Sequence, residues 1–373
     1  MEVRGICPER FAPVRVAFEA NFAAGLELGA RFSLAIGGEV VVDLMGGFAD
    51  RAQSRPFDMA TLTPIFSTTK AFAALMIARL VGGCALSYDR RVADLWPAFG
   101  AAGKASLTIG EVLSHQAGLP GLAGPMTSAD WYDREQIARR LAAMAPLWPP
   151  GSASGYHPVT FGFLADEIFR RVDGRSIAEA FGEDVTRPLG LDLSIGLAEG
   201  EEDRLAEVRR PPTPPDLGSI TEAKRLAFLV PWASPGGVPI AEQRQAQIAS
   251  TSGFATAAAL ALLLSAFACD GRVAGKRVLA PGAAALAATE RIRGADLVLP
   301  FDLSWGAGLL RNQRLGIYGP GKETIGHSGW GGSCAFADPE RRLSGAYVMN
   351  RQSSALIGDG RSRRLIEAAY RAL

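Results

Sequence analysis

Histidine and cysteine are scarce in this chain: there are three of the first and four of the second among 373 residues. The cysteines, at 7, 84, 269 and 334, stand far apart without a Cys-x-x-Cys pair. This excludes a thiolate zinc site and a disulfide-stapled scaffold, and leaves reduced thiols as the expectation. The histidines, at 115, 157 and 327, lie in separate stretches with no His-Glu-x-x-His and no carboxylate at ligand spacing. Neither a metal centre nor a cofactor is expected. An excess of one charge is also missing: the net charge is +1 and both signs are dispersed, so no basic patch or acidic tail points to nucleic acid or membrane lipid. Long apolar runs are missing too. The start, Met1 to Pro8, has no hydrophobic signal core, and the longest uncharged stretch, Gly253 to Cys269, is diluted by Ser, Thr and Ala and reads as a buried helix. The expectation is a cytoplasmic enzyme without membrane or nucleic-acid partners, long enough for one large or two joined domains.

Lysine is rare as well, with five at positions 70, 104, 224, 276 and 322, and only Lys70 has a serine three residues upstream. In Ser67-Thr68-Thr69-Lys70, Pro64 precedes the tetrapeptide and the Gly- and Pro-free run Ala71 to Ala78 follows, which predicts a helix starting near Ser67. Residues i and i+3 share a helix face, so the amine reaches the hydroxyl. The positive field of the helix start favours an oxyanion and is expected to lower the Lys70 pKa, making the amine a base.

Two further stretches follow at suitable separations. Gly155-Tyr156-His157-Pro158-Val159-Thr160-Phe161-Gly162 comes after the turn Trp148-Pro149-Pro150-Gly151 and runs into a helix near Thr160. A loop tyrosine there is a second candidate base, its phenol acidified by the Lys70 cation, against the alternative of a packed tyrosine bonded to backbone. Gly326-His327-Ser328-Gly329-Trp330-Gly331-Gly332 leads into the strand-like Ser333 to Ala337. Its glycines allow close approach to a ligand, and an exposed strand edge from His327 to Gly332 would offer N–H groups that pair with that of Ser67 as an oxyanion hole.

With these three in place the chain resembles the serine β-lactamase and penicillin-binding-protein superfamily, and within it the family VIII carboxylesterases, which are similar to class C β-lactamases. Further points of likeness are Leu113 to Pro120, Arg187-Pro188-Leu189-Gly190-Leu191, Phe336-Ala337-Asp338-Pro339 and Tyr347 to Arg351. The resemblance implies Ser67 as acylated nucleophile, Lys70 and Tyr156 as its activating pair, and His327, Ser328, Gly329 and Trp330, with Ser67, as the oxyanion and substrate-binding set. Two departures stand out. The tyrosine loop of the lactamases and D-Ala-D-Ala peptidases usually reads Tyr-x-Asn, where this chain has Pro158; their strand motif usually reads Lys-Thr-Gly, where it has His327. The side-chain amide and the permanent cation are lost, which points to neutral small-molecule esters. On this basis His327 would turn cationic, and favour carboxylate substrates, as pH falls through the ordinary histidine range. The alternatives are a β-lactamase, a D-amino-acyl peptidase or amide hydrolase, a transacylase, or a non-catalytic ligand-binding homologue.

The expected fold class is α/β (α+β): an antiparallel sheet flanked by helices, built from both chain ends (1–79 and 233–373), with a mostly helical domain (80–232) inserted and the site in the crevice between. Phe11, Val14, Phe18 and Phe22 recur at helical spacing, Phe32 to Ile36 and Val40 to Leu44 read as a hairpin, Ser304 to Leu310 and Leu343 to Met349 as strands, and Ser362 to Ala372 as a closing helix. Pro211 to Pro215 and Ser234 to Pro239 read as surface loops or a rim over the crevice. Two signals fail. Gly316 to Lys322 approaches a phosphate loop but ends in Glu323, and Gly331 to Ala335 approaches a nucleophile elbow but leads into a strand. His115 and His157 read as scaffold, fixing loops through backbone hydrogen bonds.

Overall fold

A computed structural model describes residues 2–235 and 246–373. Alternating side chains build the main sheet. In chain order its strands are β1 (Arg4–Ile6), β2 (Gly29–Ile36) and β3 (Glu39–Gly47); β4 (Thr63–Pro64), β5 (Leu193–Ile195) and β6 (Gly253–Ala255) form a separate small sheet, and β7 (Arg272–Val273) pairs with β8 (Lys276–Arg277). From β9 (Ile292–Ala295), β10 (Asp302–Trp305), β11 (Leu310–Arg311), β12 (Ile325–Ser328), β13 (Cys334–Asp338) and β14 (Leu343–Met349) the chain completes nine antiparallel strands in the order β1-β3-β2-β14-β13-β12-β11-β10-β9. The two chain ends meet where β14 pairs with β2, Tyr347 opposite Phe32.

The period of two sorts residues to opposite faces. Phe32, Leu34, Phe336, Tyr347 and Met349 pack with Phe11, with Val14 and Phe18 of helix α1 (Ala12–Ala23) and with the terminal helix Gly360–Arg371. Ala335, Ala337, Ala346 and Val348 face the other way, toward the alanine-rich helix Ala257–Ala268. Small side chains on both partners bring that helix close, and Ser344 Oγ donates to Ala261 O at 2.7 Å. No helix among the described residues is long and apolar enough to cross a membrane. The four cysteines are free.

Between the sheet's two halves lie helices α2 (Lys70–Gly82), α3 (Ile109–Leu113), α4 (Arg134–Ala143), α5 (Thr160–Asp173) and α6 (Ile177–Phe181). Residues Lys70 to Ala78 of α2 are all buried. A helix that is apolar all round is central, and α2 touches α5 and α6 as well as β12. The region expected to be one strand, Ser304 to Leu310, is two short strands joined by the turn Gly306–Leu309, because Gly306 and Gly308 break the extended run. The strand expected from His327 to Gly332 ends at Ser328. β12 is bonded to β13 throughout and to β11 through Ile325 and Gly326 alone, so His327 and Ser328 have no strand partner on the β11 side among the described residues. Pro211 to Pro215 is irregular, with Thr213 bonded to Ser354; the second proline-rich stretch falls outside the described residues from Gly236 to its end at Pro239.

Phe72 of α2 stacks on Phe181 of α6 with ring centroids 4.8 Å apart and is fully buried. Phe72→Ala is expected to cost about 3 to 5 kcal/mol. This should appear as a lower denaturant midpoint in urea; an unchanged midpoint would mean that α2 is not anchored through this pair.

Candidate active site

The turn that carries Ser67 is built from strain and anchoring. Phe66 holds a left-handed backbone, φ 49°, between β4 and the 3-10 turn Phe66–Thr69 that opens α2. A bulky residue adopts that conformation only where its surroundings force it. Here Gly253 N donates to Thr69 Oγ1 at 2.8 Å, while Ser333, on the far side of the turn after β12, bonds Thr68 Oγ1 and Ile65 O. Ser67 itself remains half-exposed. Ser333, the residue of the failed elbow signal, is fully buried and serves this anchoring.

Lys70 is fully buried and its Nζ lies 3.1 Å from Ser67 Oγ, 2.7 Å from Pro158 O and 3.2 Å from Ser250 O. No carboxylate pairs with it among the described residues. Burial holds the amine well below its ordinary pKa. The cause is desolvation rather than the helix start invoked from sequence. A neutral amine has two N–H bonds and one lone pair. In the neutral form the two carbonyls would match the two N–H bonds and leave the lone pair for the Ser67 hydroxyl. Pro158, where relatives of the tyrosine loop carry an amide side chain, therefore contributes through its backbone.

Tyr156 lies over Lys70, whose Nζ is 4.8 Å from the ring centroid, and stacks on Trp305 at 5.9 Å. Its phenol is raised above the ordinary value, chiefly by burial; a hydrogen-bonding approach to Ser67 opposes this and the charge of Asp296 adds to it. The expectation of an acidified phenol is thus reversed, because desolvation by burial dominates. Beneath the ring, His115 adopts a left-handed backbone, φ 66°, and its ring centroid is 4.9 Å from that of Tyr156. His157 N donates to His115 Nδ1 at 3.2 Å, and Leu119 N donates to His157 Nε2 at 3.0 Å. Both histidines fix loops, as their places in the sequence suggest. Asp296, in the turn after β9, accepts from Tyr156 N at 2.9 Å. It went unread in the sequence, although its Asx-type bonds to Val298 N and Leu299 N are a local turn signal.

His327 is buried, its Nδ1 lies 2.9 Å from Ser328 O, and its ring stands 6.1 Å from Tyr156 and 6.0 Å from Trp305. The Ser328 carbonyl fixes the Nδ1–H tautomer, and Nε2 has no hydrogen-bond partner among the described residues. Burial pushes this imidazole down to about 3, so it stays neutral through the ordinary histidine range, against the expectation of a cation there. Ser328 Oγ is engaged by Tyr318 OH at 2.9 Å, and Gly329 N by Ser333 O at 2.7 Å. The N–H groups of Trp330 and Ser67 have no backbone acceptor among the described residues. A Cβ on Gly329 would meet Ile65 O at 2.2 Å, so only glycine lets this turn press against the Ser67 turn.

Arg361 holds the turn from behind. It donates to Gly331 O at 2.9 Å and pairs with buried Glu27 and Asp359 at 3.0 and 2.8 Å. Gln352 reaches Trp330 O at 3.2 Å. None of these was singled out from the sequence, since the charges lie far apart along the chain. No group of three or more His, Cys, Asp or Glu among the described residues is placed to hold a metal ion.

The family described as Beta-lactamase matches residues 18–370. Over 370 residues the chain is 34% identical to a protein of Mycobacterium tuberculosis (strain ATCC 25618 / H37Rv) named Esterase/beta-lactamase LipL, a match spanning 95% of this chain and 84% of that protein. Of solved structures, a novel penicillin-binding protein homolog from Caulobacter crescentus superposes with a TM-score of 0.98 at 58% identity, and a family VIII carboxylesterase with 0.94 at 40%. Both superpositions cover 100% of each chain.

The lone-pair arrangement at Lys70 has a direct test. Lys70→Arg places a permanent cation where burial favours a neutral amine, and ester turnover should fall by about two to four orders of magnitude at every pH. In the wild type, kcat/KM should decline on the acid side, as protonation of Lys70 removes the lone pair. An Arg variant with near wild-type turnover would contradict a proton-accepting amine.

Proposed function

The chain belongs to the beta-lactamase family and is a hydrolase of the serine β-lactamase superfamily, and from that premise we propose that it cleaves neutral carboxylic esters with small acyl groups through an acyl-enzyme on Ser67. The observation that carries this reading is the Lys70 amine, 3.1 Å from Ser67 Oγ with its remaining contacts on two carbonyls.

In this scheme neutral Lys70 takes the Ser67 proton as Oγ attacks the ester carbonyl. The N–H groups of Ser67 and Trp330 receive the oxyanion. Tyr156, kept neutral by burial, gives its proton to the departing alcohol and recovers one from the Lys70 ammonium, so the pair ends as it began. Water then attacks the acyl-enzyme, its proton passing to the same pair, and Ser67 is restored with release of the acid. His327, Ser328 and Gly329 shape the turn that presents Trp330, and the half-buried Trp330 ring borders the acyl or alcohol pocket.

Ester preference is supported by the neutral His327, by the absence of a side-chain amide at Pro158, and by the carboxylesterase likeness. β-Lactam turnover is a second reading, favoured by likeness to proteins named Esterase/beta-lactamase and penicillin-binding protein homolog.

Ser67→Ala should abolish both ester turnover and covalent labelling by a fluorophosphonate while leaving the thermal midpoint in place; labelling that persists would move the nucleophile elsewhere. A panel of nitrophenyl esters, a chromogenic cephalosporin and a D-Ala amide ranks the two readings, with the esters expected first.

Charge selection is tested at His327. For a matched acid and methyl-ester substrate pair, the wild-type ratio of kcat/KM should stay flat between about pH 5 and 8, since the imidazole is neutral across that window. His327→Lys should raise the ratio for the acid by about tenfold or more, the worth of one charge-assisted hydrogen bond. An unchanged ratio in the variant would show that this position does not meet the substrate.

A further inference from the structure

Tyr156 sits in a loop without regular secondary structure between Trp148 and Val159, yet proton transfer requires its phenol to be held in register with Ser67 and Lys70. The hairpin of β9 and β10 grips it twice. Trp305, the last residue of β10, stacks under the ring, and Asp296, just past β9, holds the backbone. Asp296 Oδ1 accepts from Tyr156 N at 2.9 Å, Val298 N at 3.0 Å and Leu299 N at 2.9 Å; Oδ2 accepts from Ser154 Oγ at 3.0 Å. Leu297 N closes the clasp on Ser154 O at 2.9 Å. Asp296 is 8% exposed and has no cationic partner among the described residues. A carboxylate buried without a cation persists only where N–H and O–H donors saturate it, and these donors belong to the tyrosine loop and to the hairpin's own turn.

We propose that Asp296 is a positioning residue for Tyr156: its carboxylate ties the tyrosine loop to the β9–β10 hairpin and so sets the phenol over Ser67 and Lys70. The inference rests on the reading that Tyr156 moves a proton in the reaction. Asp296 touches neither the reacting atoms nor the expected substrate; it acts through the tyrosine backbone and through its charge. The other titratable groups facing Tyr156 are Lys70 from α2, His115 from the loop after α3, the adjacent His157, His327 from β12 and Tyr318 from the loop before β12. Burial disfavours the charged forms of the histidines and of Lys70, and among these neighbours the charge of Asp296 disfavours the phenolate.

Two variants separate position from charge. Asp296→Asn keeps an oxygen for the three N–H donors and can turn its amide toward the Ser154 hydroxyl. Asp296→Ala removes every tie. In single-turnover acylation by a nitrophenyl ester, Asp296→Ala should be about ten- to a hundredfold slower, with KM changed less than about threefold. Asp296→Asn should acylate within about threefold of wild type, while the alkaline limb of its kcat/KM profile moves to lower pH because the charge is gone. In a Tyr156→Phe background, Asp296→Ala should add little, as both act on one proton transfer. A wild-type rate in Asp296→Ala, an unmoved limb in Asp296→Asn, or a full-sized loss in the Phe background would overturn the clamp. Should the Ala variant fail to fold, the Asn profile alone decides. Tyr156→Phe with wild-type acylation would instead remove the reading beneath it, so the two failures are distinguishable.

Discussion

The rest of the site is arranged around one amine buried without a counter-charge. An ammonium in an apolar interior is costly unless a carboxylate accompanies it; at Lys70 only oxygens without charge do so. Burial therefore favours the neutral form, which needs acceptors for two N–H bonds. Pro158 and Ser250 provide them from segments 88 and 180 residues away along the chain. Satisfying one side chain thus draws the tyrosine loop and the loop before β6 onto the start of α2. Ser250 also bonds Val159 O, and a Cβ on Gly162 would meet Ser250 Oγ at 2.6 Å, so the contact between these loops tolerates no bulk.

Electrostatics and packing are segregated around this point. Burial disfavours the charged forms of the groups lining the proposed reaction centre, Lys70, Tyr156 and His327, whereas the paired charges stand behind it. Arg361 with Glu27 and Asp359 braces the turn of Gly331, while Asp296 braces the tyrosine loop. Ion pairs buried in this way contribute little net stability, since desolvation offsets attraction, but they hold geometry because losing one partner strands the other. An ester substrate would thus meet oriented dipoles rather than charges, the environment in which a developing oxyanion gains most from two N–H donors.

Local pattern made much of this readable. The i, i+3 spacing of Ser67 and Lys70, the helix beginning at Thr160 and the alternation of Phe32 to Ile36 are short-range features, and the structure places each as expected. The failures share a cause. A lowered Tyr156 pKa was expected from a lysine assumed charged, and a titrating His327 from an imidazole assumed wet; both depend on how much water burial removes. The strand supposed from His327 to Gly332 stops at Ser328, where Gly329 N turns back to Ser333 O and the chain leaves the extended form. Asp296 and Arg361 were invisible as partners because their contacts cross 140 and 30 residues of chain.

The sequence by itself determined the chemical inventory: a lone Ser-x-x-Lys, a loop tyrosine, a glycine-rich turn, a histidine where the lactamases and peptidases it resembles usually have lysine, and the sheet residues whose two-residue period sorts them into faces. These follow from covalent order and local geometry, which act over a few residues. Tertiary structure alone decided the protonation states, the N–H groups left free and the residues that hold the loops in place. Each of those depends on desolvation and on contacts between distant segments, which exist only once those segments have packed against α2.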